Sequence, residues 1–436
     1  MAGTLRLNPA TPLLRWLVIA LILFPIVVDQ INGYWQVRHG VHLPVAVAYR
    51  GAMIALLLPF VLKARDQPFF RFATAAMLGF VLALPFWALQ VPEFSLVAEV
   101  TVFIKIAYLL IVILFMAEIR DKIDTGWIVS LVITYGLLVA AINVLAFYGG
   151  FGLPSYGADY GFGTKAFFKA GNDLGLTLIV CLCICFWWLA HTDRLIYLLP
   201  AAIIGIGALL IGSRATLFGV PLLFAITFTH LIFRRRFKRL RVSVKPLIYF
   251  GLVLVLATSS VQLGVWFLRE VADSYFLARL DFNAIANPRA ILLTAAAASI
   301  SDFNFIEHLT GRGMTGSMVF IGEYLGLGTI RLAEADAHDM ISSYGWVLGT
   351  LLLLIYPMLA LRAYRRWRGS YAFGDFLLLV TIGLLLAHSL FAGHVLLNTM
   401  LAPVVGVLYL LLSRSETRTV RRRSIQRLDA ATGEPR

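Results

Sequence analysis

Charge is scarce in this chain, and acidic charge is scarcer. Only 14% of the 436 residues are charged, with 23 Asp and Glu against 37 Lys and Arg, while 60% are hydrophobic. So little charge excludes a soluble enzyme and places the chain among polytopic membrane proteins. Cysteine is nearly missing. Cys181, Cys183 and Cys185 crowd into one apolar run, and the polar segments hold none, which excludes a disulfide framework. Their spacing suits a soft metal, but no histidine or carboxylate interleaves, so they are expected to act as small buried apolar residues with no metal. No internal repeat suggests the inverted halves of a transporter. The first apolar run is not followed by a small-residue cleavage site, so it is expected to stay as an anchor.

What the chain has in quantity is apolar runs near the length of about 20 residues that spans a bilayer. They fall at 13–28, 43–62, 72–90, 97–117, 127–147, 172–191, 195–211, 214–233, 246–268, 338–361, 375–395 and 397–412. The expected fold is therefore an all-α bundle of about 12 transmembrane helices forming one domain over 1–412, followed by a basic, disordered cytoplasmic tail at 413–436. Between the ninth and tenth runs lies a segment too polar to cross, 269–337. The net charge of +14 is explained by placement. The run RRRFKRLRVSVK at 234–245, together with Lys63, Arg65, Arg71, Arg120, Lys122, Arg362, Arg365, Arg366, Arg368 and the tail arginines, falls on one side if the spans alternate. The positive-inside rule makes that side cytoplasmic, with both termini. Nucleic acid is not an expected partner. The 269–337 segment is then external, where ATP is absent, so a substrate must arrive already activated and anchored in lipid.

Charges inside spans are costly and need a partner or a wet cavity. Arg50 and Lys105 fall roughly 10 Å below the outer surface at 1.5 Å per residue. Glu99 lies nearer that surface, and Asp29, Arg214, His394 and Asn398 also sit at outer ends. These groups either tie helices together as ion pairs or line a pocket that opens outward. Ser213-Arg214 occupies the shortest external turn. A guanidinium there forks onto phosphate oxygens or snorkels to headgroups. In the large segment, Asn287-Pro288 looks like the start of a helix over 289–301, placing Arg289 in its first turn. Gly311-Arg312-Gly313 is a turn that can bring backbone amides close to a ligand, and the Gly-rich stretch after it, to Gly328, looks too irregular to fold by itself. The segment from Tyr148 to Gly171 is rich in glycine and aromatics and suits either sugar stacking or an interfacial belt. His338 stands where the loop meets the next span, beside Asp336 and Asp339. It is placed to accept a proton from a sugar hydroxyl or to cap a helix.

Taken in order, these motifs carry a resemblance. Residues 211–219 (IGSRATLFG) resemble the Ser-Arg-small turn of the O-antigen ligase and O-antigen polymerase superfamily. Residues 337–349 (AHDMISSYGWVLG) resemble that superfamily's signature opening the span after the large periplasmic loop, with Asp339 where the family usually has asparagine. Arg289, followed by a helix and Gly311-Arg312-Gly313, is similar to its loop pattern, and Gly393-His394 before the last span is also familiar.

The resemblance implies a metal-independent, inverting membrane glycosyltransferase of the bacterial inner membrane, with no cofactor and an active site facing the periplasm. Its substrate would be an undecaprenyl-diphosphate-linked glycan. Arg214, Arg289 and Arg312 would hold the diphosphate. His338 or Asp339 would take the proton of the acceptor, and Arg50, Glu99, Lys105 and His394 would support the polar pocket. Expected partners are the lipid bilayer and a chain-length regulator or flippase of the same pathway. The first expectation is a polymerase of O-antigen or exopolysaccharide repeat units, since Asp29 to Gly33 and Tyr49-Arg50 look more like exopolysaccharide proteins. The alternatives are an O-antigen ligase acting on lipid A–core and a lipid-linked oligosaccharide flippase.

Overall fold

The computed structural model describes residues 11–40, 44–62, 66–155, 163–168, 170–239, 282–326, 332–391, 393 and 395–413, with backbone alone at 214, 234–239, 282–289 and 391. Regular structure among these residues is helical, apart from one antiparallel bridge between Pro154 and Thr164. Among the described residues, eight helices are long and apolar enough to cross a membrane: Pro12–His39, Gln67–Gln90, Leu96–Ile119, Thr125–Gly149, Gly171–Thr192, Ala215–Phe233, Asp336–Ser370 and Phe373–Leu390. The chain is a multi-pass membrane protein. Three further expected spans are shorter helices, Val45–Val61, Leu195–Leu209 and Ala402–Ser413. At 1.5 Å per residue the first of these is only about 25 Å long. The run at 246–268 lies outside the described residues.

We number the helices α1 (Pro12–His39), α2 (Val45–Val61), α3 (Gln67–Gln90), α4 (Leu96–Ile119), α5 (Thr125–Gly149), α6 (Gly171–Thr192), α7 (Leu198–Leu209) and α8 (Arg214–Arg239). After them come α9 (Phe282–Ser301), α10 (Phe305–Thr310), α11 (Gly313–Tyr324), α12 (Asp336–Tyr344), α13 (Thr350–Leu353), α14 (Ile355–Ser370), α15 (Phe373–Phe391) and α16 (Ala402–Ser413). Two of these are apolar all round and accordingly buried all round. In α4 every residue from Ile106 to Ile119 is buried, and α6 is buried continuously from Leu174 to Trp187. Each gathers its own neighbours: α4 packs on α2, α3 and α11, whereas α6 packs on α5, α7, α8 and α15. Helix α1 touches both groups, through α2 and α5. Cys181, Cys183 and Cys185 lie wholly inside the second group as free thiols, as expected of small core residues.

One end of the bundle is basic and tied by ion pairs. Asp66 caps α3 by accepting from the Phe69 amide, pairs with Arg362 at 2.9 Å and accepts from the Tyr409 hydroxyl, which joins α3, α14 and α16. Arg366 pairs with Asp375 between α14 and α15.

The other end is covered by α9, α10 and α11. Three expectations change here. Helix α9 begins at Phe282, so Asn287-Pro288 lies within it and does not start it. The stretch after Gly313 is a regular helix, α11, because it has a partner to pack on. The run at 338–361 is not one straight helix: α12 stops at Gly345, a five-residue π-helix follows over Gly345–Gly349, and the path then resumes. The break receives the turn at Gly311. Both glycines have left-handed backbones, with φ of 70° and 69°. A Cβ on Gly311 would lie 2.3 Å from the Ser343 carbonyl oxygen, and one on Gly345 would lie 2.6 Å from the Gly311 nitrogen. The Arg312 amide donates to the Ser342 carbonyl at 3.3 Å, and the Trp87 indole donates to the Thr310 carbonyl at 2.9 Å. Glycine at both positions lets two backbones touch where any side chain would part them.

Gly311→Ala is therefore expected to lower the melting temperature of the purified protein in detergent, since strain of about 1–3 kcal/mol accompanies such a backbone. Alanine at Gly369, where nothing lies within 4 Å of the added atom, should leave it unchanged.

Candidate functional site

The covered end of the bundle is organised by buried carboxylates, and most of them are committed to backbone amides. Glu99, in the first turn of α4, is fully buried. Its carboxylate accepts from the Met314 amide at 3.0 Å and the Thr315 amide at 2.7 Å. These are the free amides at the N-terminus of α11, where a negative charge is also favoured by the helix dipole. Glu99 therefore anchors α11 to the bundle. The amides that follow Gly311-Arg312-Gly313 are occupied in the same stroke, and the turn offers none of them to a ligand.

Arg312 is committed as well. Its guanidinium bonds Glu307 at 2.9 Å and Asp302 at 2.9 Å, and lies 4.6 Å from the centre of the Phe320 ring and 5.5 Å from that of Phe303. Burial works against its charge, but the two carboxylates outweigh it and push its pKa further up. Arg312, expected to hold a diphosphate, has its guanidinium bonded to these two carboxylates, where it knits α9, α10 and α11 together. Asp339, expected to take a proton, is engaged in the same way. Its carboxylate accepts from the amides of Ala333 at 2.8 Å and Ala335 at 3.2 Å, which closes the chain into α12. Asp336 is similarly bonded, accepting from the Ser389 hydroxyl at 2.7 Å and from the amides of Val395 and Leu396.

His338 differs from its neighbours. It is half-buried in the first turn of α12, and its Nδ1 is buried without a hydrogen-bond partner among the described residues. A buried ring nitrogen left unmatched is costly, and such groups point to a ligand, a water or a catalytic role.

A second group of charges converges at the same end from helices that do not share one packing group. Arg50 on α2 pairs with Asp29 on α1 at 2.8 Å, with both side chains about nine-tenths buried. Asp173, in the first turn of α6, is partly buried. It feels the attraction of Lys105 on α4 and of Arg50, and the repulsion of Asp336 and Asp29. Opposite charges thus face one another across the seam between the α4 and α6 groups. Three tyrosines, Tyr49, Tyr108 and Tyr135, are electrostatically coupled to the Asp29–Arg50 pair from α2, α4 and α5.

The Ser213-Arg214 turn packs beside the start of α6. Ser213 is buried and caps α8, its hydroxyl accepting from the Thr216 amide at 3.3 Å. A Cβ added to Gly175, in the first turns of α6 with Asp173, would touch that hydroxyl at 2.7 Å. The Gly- and aromatic-rich segment leans over the turn, the Thr164 amide donating to the Leu210 carbonyl at 3.0 Å. In that segment burial draws the pKa of Lys165 below the ordinary lysine range. The backbones of Arg214 and Arg289 begin α8 and lie within α9 respectively, while their side chains, and all of His394, lie outside the described residues.

The sequence reading missed Asp173 and Lys165. Asp173 looked like an ordinary acid in the first turn of a helix, and only its facing charges set it apart. No group of three or more potential metal ligands occurs among the described residues. No protein-family model matches the chain, and no curated protein matches it.

Removing the Glu99 carboxylate should release α11. In Glu99→Ala two buried amides lose their partner at about 1–3 kcal/mol for each group left unsatisfied. Limited proteolysis should then cut between residues 302 and 326 faster than in the unaltered protein, and Asp121→Ala, an exposed acid at the basic end, should show no such change.

Proposed function

We propose that the chain is a membrane glycosyltransferase that polymerises undecaprenyl-diphosphate-linked oligosaccharide repeats into O-antigen or exopolysaccharide at the periplasmic face. The observation that carries this reading is the convergence, at the covered end of the bundle, of the Ser213-Arg214 turn, the unmatched His338 and a seam of buried charge. The segment built on α9, α10 and α11 lies at that same end, and the densest basic cluster lies elsewhere along the chain. By the positive-inside rule the covered end then faces outward.

In this reading Arg214 and Arg289 bind the diphosphate as bidentate forks and hold it as it departs. Fixed cations aimed at charge that develops in the transition state are commonly the largest catalytic contribution. His338 orients the acceptor hydroxyl and takes its proton as the oxygen attacks the anomeric carbon. The glycosidic bond to the diphosphate breaks with inversion, and undecaprenyl diphosphate leaves. Asp339, Arg312 and Glu99 stand outside this chemistry, because each is bonded to the fold. An O-antigen ligase would use the same donor machinery on a lipid A–core acceptor, and no contact described above separates the two. A flippase is less well supported: it requires charged groups open to both faces, whereas the unmatched and facing charges gather at one end.

Arg214→Ala, Arg289→Ala and His338→Ala should each abolish long-chain glycan on gels while the protein stays in the membrane. The loss of one charge-stabilising donor is expected to lower turnover by about 10²–10³. Arg214→Lys should restore little, because a point charge lacks the fork. A normal ladder of chain lengths in all three alanine variants contradicts the assignment.

A further inference from the structure

The division of charge at the covered end separates two kinds of ligand. The seam between the α4 and α6 groups holds two cations, Arg50 and Lys105, and three carboxylates, Asp29, Asp173 and Asp336. A diphosphate carries negative charge and gains little from that set, because the acids offset the two cations. A neutral polyol suits it, because each hydroxyl can donate to a carboxylate and accept from a cation.

Two buried groups are also left open for such a ligand. One oxygen of Asp29 takes the Arg50 bond at 2.8 Å, and the other, Oδ2, is buried with no partner among the described residues. The Tyr135 hydroxyl is fully buried and likewise unmatched, and it is electrostatically coupled to both Asp29 and Arg50. An acceptor oxygen and a hydroxyl held in a dry interior without partners are what a bound sugar would satisfy.

We propose that this seam is the acceptor-sugar subsite, in which Asp29, Asp173 and Tyr135 hydrogen-bond the hydroxyls of the incoming glycan while Arg50 and Lys105 hold the two carboxylates in place. This rests on the glycosyl-transfer reading and adds a second ligand class to it. Donor and acceptor are sorted by charge: the diphosphate goes to the arginines of the α8 turn and α9, and the uncharged sugar goes to the mixed-charge seam. His338 lies two residues from Asp336, at the border between them.

The test uses full-length protein in lipid nanodiscs and two separate binding measurements. The acceptor probe is the repeat-unit oligosaccharide released by mild acid from the polysaccharide of the producing strain, followed by calorimetry. The donor probe is a photoactivatable undecaprenyl diphosphate, followed by labelling. Asp29→Asn and Asp173→Asn should each weaken oligosaccharide binding by about tenfold or more, as expected for a lost charge-assisted hydrogen bond. Diphosphate labelling should stay at the unaltered level. Asp173→Glu keeps the charge that faces Lys105 and should bind the oligosaccharide better than Asp173→Asn at equal melting temperature. Unchanged oligosaccharide affinity in folded Asp29→Asn and Asp173→Asn variants overturns the subsite. So does a parallel loss of diphosphate labelling, which would assign the seam to the donor. If unaltered protein binds the oligosaccharide but takes up no diphosphate label, the donor reading fails while the acceptor subsite stands.

Discussion

A carboxylate deep in a membrane bundle must find hydrogen-bond donors, and in this protein the donors are mostly backbone amides at helix starts. Glu99 is the case on which the covered end depends. It is buried at the top of α4 and holds the first amides of α11, 215 positions away in the chain. The polar segment between the ninth and tenth apolar runs is thereby fastened to the bundle. The Gly311 and Gly345 backbones can then meet, and the turn they form places α12 and His338 at the border of the interior. Without the carboxylate, the Met314 and Thr315 amides of α11 would lose their bonds to the bundle.

The same rule sorts the acids by role. Asp339 and Asp336 are bonded to amides and a hydroxyl, so their burial is accounted for by the fold. Asp29 has one oxygen on Arg50 and one with no partner among the described residues, and Asp173 faces a lysine across a seam between helices of different packing groups. An acid bonded on both oxygens, such as Asp339, builds the end of the bundle, whereas in the proposed reading the unmatched oxygen of Asp29 is where a ligand bonds. His338 falls with the second kind. A site made this way is pre-formed, because its charges are held by helices.

Much of the fold was legible because apolar runs such as 97–117 and 172–191 have the length and uniformity of buried spans, and α4 and α6 follow them closely. The short run at 43–62 and the border at 338 were legible for the same reason. The break at Gly345 was not, since a left-handed glycine inside an apolar run leaves no mark on hydropathy. The commitments of the charged residues were hidden for a different reason. Glu99, Asp339 and Asp336 bond to main-chain amides, which every residue but proline carries, so no pattern of side chains announces the partner. Arg312 was read as a ligand because its flanking glycines suggest an open turn, yet Glu307 and Asp302 were within ten residues and form its ion pairs. Asp173 needed the three-dimensional neighbourhood, because Lys105, Arg50 and Asp336 come from three distant stretches of sequence.

The central claim is that the covered end of this bundle transfers glycan from a polyprenyl diphosphate to a sugar hydroxyl. The most direct measurement supplies purified protein in nanodiscs with a synthetic undecaprenyl-diphosphate oligosaccharide of the repeat unit, in the presence of a chelator, and follows products by mass spectrometry. The account predicts glycans that grow by whole repeats, with one undecaprenyl diphosphate released for each bond formed. Intact substrate after prolonged incubation, or release of diphosphate with no growth of glycan, would contradict it.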